Sequence, residues 1–154
     1  MYRRARQLAS VLAARDIGDG DTVSAILPNI PAMIDVHFGV PLTGAVLNTI
    51  NTRLDATTIA FQLRPSGAKV LVVDREFAQV ARQALAINAQ QGVVAPFVVD
   101  VDDPVYDGPG ERIGQVEFED WIAAGDPAHA WSLPTDEWDA IGLNYTSGTT
   151  GNPK

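Results

Sequence analysis

Cysteine is absent from all 154 residues. That excludes a disulfide framework, a zinc–thiolate centre and a thiol nucleophile within this chain. A reducing compartment suits such a sequence, and the cytoplasm is the expectation. Long apolar runs are missing as well: no window approaches 18 uninterrupted apolar residues, so no membrane span is expected. Positive charge is scarce, with 11 Lys and Arg against 19 Asp and Glu and a net charge of −8. Nucleic-acid binding needs clustered cations facing phosphates, so it is not expected either. The two histidines, His37 and His129, are too far apart in sequence to suggest a metal-ligand pair. No metal ligand is expected in this chain.

What is present reads as one globular domain, with 46% hydrophobic and 19% charged residues. Charge is unevenly spread. Residues 100–139 hold 12 acids and one base, Arg112. The expectation is a solvated, loop-rich acidic stretch over 100–138. Met1 to Arg15 is arginine-rich and free of acids, as a transit sequence can be. Ala5, Leu8, Ala9 and Leu12 nonetheless recur at helical spacing, and an amphipathic helix is the reading adopted.

Strand and helix patterns alternate thereafter. Thr22–Leu27 is a short apolar strand after a Gly-Asp turn, and Asn29 stands where it could cap a helix running to about Val40. Ala45–Ile50 is a second strand. Asp55 can cap a helix over Ala56–Leu63, stopped by Pro65 and Gly67. Lys69–Asp74 carries four consecutive apolar residues, which suits burial on both faces of a sheet. Residues 76–90 read as a helix, and Val93–Val99 as a strand that Pro96 pushes towards an edge. Loop is expected over 100–115, a short helix over Val116–Ala124, loop over 125–138, and a last strand over Ala140–Tyr145. The alternation predicts an α/β fold, a mostly parallel sheet flanked by helices, with ligands beyond the carboxyl ends of its strands.

One segment carries chemistry. Thr146-Ser147-Gly148-Thr149-Thr150-Gly151-Asn152-Pro153-Lys154 combines four hydroxyls, two glycines and a lysine in nine residues. Glycines let successive backbone amides converge on an anion, hydroxyls add donors and lysine adds charge, a set suited to a polyphosphate. It is not a Walker A loop, which needs Gly before its Lys and Ser or Thr after it. Lesser signals read as structure. Ser66-Gly67-Ala68-Lys69 matches Ser-x-x-Lys without its companion motifs. Gly18-Asp19-Gly20 lacks the rest of a dinucleotide fingerprint. Asp100, Asp102 and Asp103 lack calcium-loop spacing and read as an exposed charge run. Trp121, Trp131 and Trp138 are expected to pack the second half onto the sheet.

The nine-residue run resembles the phosphate loop of the AMP-forming adenylating enzymes, a family of acyl-CoA synthetases, luciferases and peptide-synthetase adenylation domains. Tyr2–Leu8, Gly20–Val23 with Leu27-Pro28-Asn29, Gly44–Val46 with Asn51-Thr52-Arg53-Leu54, and Ser66–Lys69 also resemble it. The likeness runs over the whole chain and is nearest to acyl-CoA synthetases of short or medium acids. It implies a two-step ligase that uses ATP with magnesium, a carboxylic acid and CoA. Thr146, Ser147, Gly148, Thr149, Thr150 and Gly151 would hold the β- and γ-phosphates, with Lys154 adding charge. It implies no catalytic residue in this chain. It further implies that residues 1–154 are the N-terminal part of the adenylation domain, cut at the phosphate loop and inactive alone. The competing expectations are a non-catalytic docking module and a truncated product without activity.

Overall fold

Val70-Leu71-Val72-Val73 offers no polar side to water, so its strand must be covered on both faces. A computed structural model describing residues 1–146 shows how. Six strands, β1 (Thr22–Ile26), β2 (Val46–Thr49), β3 (Val70–Asp74), β4 (Phe97–Val101), β5 (Val116–Glu117) and β6 (Gly142–Leu143), form one sheet in the order β5-β4-β3-β1-β2-β6. Every pairing is parallel. The helices are α1 (Tyr2–Ala13), α2 (Pro31–Gly39), α3 (Ala56–Ser66), α4 (Ala78–Gln90) and α5 (Phe118–Ala123). The α/β sheet flanked by helices is therefore present as expected.

Right-handed crossovers sort the helices. The chain moves one way from β1 to β2 and the other way from β2 to β3 and β4. Accordingly α3 and α4 cover one face, packing Ile59, Leu63, Ala81 and Ala84 on Ile26, Leu71 and Val73. On the other face α1, α2 and α5 bring Leu8, Leu12, Val36, Phe118 and Ile122 onto Val23, Val70, Val72 and Val99. The period-2 alternation of β3 divides cleanly between the two layers. Gly39 permits the close crossing of α1 and α2, since a Cβ there would lie 2.8 Å from a Leu8 methyl.

Several expectations are corrected. Asn29 caps nothing: α2 starts at Pro31, whose missing amide and fixed φ suit a first helical position. Pro65 lies inside the last turn of α3, and Gly67, at φ 60°, ends it. Pro96 precedes β4, which is an interior strand paired with β3 and β5. That strand extends to Val101, so Asp100 is buried rather than part of an exposed run. Its carboxylate accepts from the amides of Ile113 (3.0 Å) and Gly114 (2.8 Å). The expected helix from Val116 begins as β5, and Glu117 caps α5 by accepting from Glu119 and Asp120. The last strand is only Gly142–Leu143. Trp121 is buried against Phe97, whereas Trp138 is 86% exposed and packs nothing onto the sheet; Trp131, at the surface, donates to the Tyr2 hydroxyl.

Arg4 ties three helices together. Its guanidinium donates to Asp35 of α2 (2.9 Å) and, in a fork, to Glu119 of α5 (2.8 and 2.7 Å). These partners hold the guanidinium pKa well above its usual range, and Arg4 in turn holds the Glu119 carboxyl below 4.5. Asp35 is 3% exposed, so Arg4→Ala strands a buried carboxylate. Arg4 is itself 34% exposed, which puts the expected loss at about 1–3 kcal/mol, below that of a fully buried pair. Urea unfolding at pH 7 measures it. The Glu119 share exists above the ordinary glutamate range and vanishes on acidification.

Candidate functional site

In a parallel sheet whose helices run antiparallel to the strands, helix N-termini gather at the carboxyl ends of strands. The amino ends receive helix C-termini. A groove of about 380 Å³, lined by Leu63, Arg64, Lys69, Leu85, Asn88 and Pro96 among others, lies at the amino ends of β3 and β4. The C-termini of α3 and α4 give that end negative potential, which disfavours polyphosphate. Lys69 there is already paired with Asp21 at 2.6 Å. The carboxyl ends are where the sequence and the dipoles agree.

At that edge β1 and β3 are neighbours whose connections depart in opposite directions, the topological switch point. The loop after β4 packs over the β3 side of it. Arg75 donates to the Tyr106 carbonyl, its guanidinium lies 5.1 Å from the Tyr106 ring, and Gly110 sits where a Cβ would meet the Arg75 carbonyl at 2.6 Å. Beneath it Asp74 is fully buried. One oxygen accepts from Glu76 N at 2.9 Å and the other has no partner among the described residues. Desolvation pushes its pKa up, reinforced by Asp103 and Glu76.

On the other side of the switch point the edge is formed by β2 and β6. The turn after β2 carries Asn51, Thr52 and Arg53; the Asn51 side chain accepts from Arg53 N at 2.9 Å, and Asn51 and Arg53 are exposed. Inside the sheet Asn48 of β2 donates to the Ser24 hydroxyl at 2.9 Å. Beyond β6, Asn144 Oδ1 accepts from the Thr49 hydroxyl at 3.3 Å. The Tyr145 hydroxyl donates to the Gln62 carbonyl of α3 at 3.2 Å, and desolvation pushes its pKa up. Thr146, exposed, follows on the carboxyl side of the sheet. Ser147, Gly148, Thr149, Thr150, Gly151 and Lys154 lie outside the described residues. Of the seven predicted site residues, the structure thus places Thr146.

Sequence reasoning did not single out Asp74 or Asn144 at this edge. Asp74 had a usable signal, a charge closing an apolar strand at its carboxyl end. Among the described residues no group of three or more His, Asp or Glu could hold a metal ion. No described helix is long and apolar enough to cross a membrane.

Comparison with known proteins decides the family. The model of the AMP-binding enzyme family matches residues 1–154. The chain belongs to that family. Among curated relatives, a peroxisomal acetate/butyrate–CoA ligase of Arabidopsis thaliana is 46% identical and an acetate–CoA ligase of Humulus lupulus 44% identical, each over 99% of this chain. The chain spans 28% of the length of either. Among solved structures, the anthranilate–CoA ligase AuaEII bound to anthranoyl-AMP superposes with a TM-score of 0.82 at 25% identity, covering 99% of this chain and 27% of that one. A Mycobacterium tuberculosis fatty acyl-CoA synthetase gives 0.73 at 27%, covering 98% and 26%.

Asp74→Asn keeps an acceptor for Glu76 N and removes the buried charge. It is expected to raise the unfolding midpoint at pH 7. The gain should shrink as pH falls and vanish well below 3.8, where the wild-type carboxyl is protonated in both states. Denaturation at pH 7 and pH 3.5 checks the sign.

Proposed function

We propose that this chain is the N-terminal part of an AMP-forming acyl-CoA synthetase and supplies its pyrophosphate-gripping loop. We further propose a cytoplasmic location, a reducing compartment that a chain without cysteine suits. The observation carrying this reading is that Tyr145-Thr146 leads off a parallel strand at the carboxyl edge of the sheet, directly into Ser147–Lys154. In this reading a carboxylate oxygen attacks the α-phosphorus of ATP and the α–β bridging bond breaks. Acyl-adenylate and pyrophosphate result. The thiol of CoA then displaces AMP at the acyl carbon, losing its proton, and leaves a thioester. Negative charge grows on the departing pyrophosphate, where the amides and hydroxyls of Thr146, Ser147, Gly148, Thr149, Thr150 and Gly151, with the Lys154 ammonium, stabilise it. Magnesium arrives with ATP as part of the substrate. The two curated relatives cited act, by name, on acetate or butyrate, which supports a short aliphatic acid.

The chain alone, at 28% of its relatives' length, is proposed to be inactive. The test is a chimera in which residues 1–154 replace the matching segment of the Arabidopsis ligase. ATP–pyrophosphate exchange should appear with acetate or butyrate in the chimera and not in the isolated chain. Lys154→Ala or Thr149→Ala should slow it about 10²-fold. Exchange that is indifferent to both substitutions overturns the role assigned to the loop.

A further inference from the structure

The strand that delivers the loop is weakly held by its ladder. β6 lies at an edge of the sheet and pairs with β2 at two positions, Leu47↔Gly142 and Asn48↔Leu143. Two residue pairs give a strand little stability of their own. Past the last pair the grip continues through side chains to two different elements. Thr49, the next residue of β2, donates to Asn144 Oδ1, and the Tyr145 phenol donates to the Gln62 carbonyl. Gln62 is buried on α3, whose first turn is capped by Asp55 accepting from Thr58 N at 2.7 Å. The phenol is therefore attached to a fixed helix.

We propose that Thr49 and Tyr145 are positioning residues of the adenylating site, setting where the chain leaves the sheet to enter the phosphate loop. The proposal rests on the pyrophosphate-loop reading above. Donors that grip bound phosphates and the charge that grows on them act only when placed in advance, so a shift at the root of the loop weakens ATP binding as well as the chemical step. Beside a ladder of two pairs, the two side-chain bonds carry a share of that placement.

Tyr145→Phe and Thr49→Val each delete one bond at nearly constant volume. In the 154-residue chain, amide hydrogen exchange at 143–146 should quicken about two- to ten-fold in each variant, with β3 unchanged. In the ligase chimera, KM for ATP should rise three- to ten-fold and more in the double variant, while KM for the acid and the thermal midpoint hold. Unchanged exchange at 143–146, an unchanged KM for ATP, or a KM for ATP rising in step with that for the acid as the midpoint drops, overturns the proposal. Lys154→Ala separates the two readings. If it slows pyrophosphate exchange while Tyr145→Phe leaves the KM for ATP alone, only the positioning role fails; if it has no effect, the loop reading itself fails.

Discussion

Parallel pairing is the constraint from which the remaining architecture follows. Two parallel neighbours cannot be joined by a tight turn, so each connection must cross a face of the sheet and cover it. Both faces become dry, which is why β1 and β3 are buried along their whole length and why β3 contains nothing polar before Asp74. Polar side chains, the paired Ser24 and Asn48 apart, are then pushed towards strand ends. Of the two ends, only the carboxyl one receives helix N-termini. Fold and chemistry thus share one cause: the proposed polyphosphate loop follows in sequence from the carboxyl end of a strand.

The helical layers solve a second problem, that of holding a cover over a sheet whose helices touch mainly through apolar contacts. Arg4 does this on one face by joining α1 to Asp35 and Glu119. Nearby, Arg6 donates to the carbonyls of Ala128 and His129, and Gly125 lies against the Gln7 backbone. The first helix is therefore fastened to the segment after α5, more than a hundred residues later. On the β4 side, Arg112 and Arg75 meet Asp102, so part of the acidic stretch serves as internal counter-charge.

Much of this was legible where a local rule suffices. The apolar run at 70–73, the Asp55 cap and the glycine at 67 each act within a few residues, and each was placed correctly. Reading failed where the deciding partner is remote. Nothing near Asp100 announces that the amides of residues 113 and 114 will receive it, and nothing near Val116 shows that an edge of β4 awaits it. Pro96 misled because a missing amide matters only if it falls inside the ladder, and the strand begins one residue later. The site divides likewise: the hydroxyl and glycine run is recognisable as letters, whereas the fastening of its root to β2 and α3 exists only once those elements are folded.

Among the described residues both apolar clusters are complete by Ile122, some twenty residues before β6 begins. During synthesis the strands β1–β5 and the helices α1–α5 can therefore close while β6 is still being made. β6 is then laid onto a finished edge, bridging back to Thr49 over 95 positions. A segment that joins after these clusters have formed can change its sequence with little penalty to the folding of what came before. Selection on the sequence of β6 is thereby uncoupled from selection on the stability of the sheet it joins.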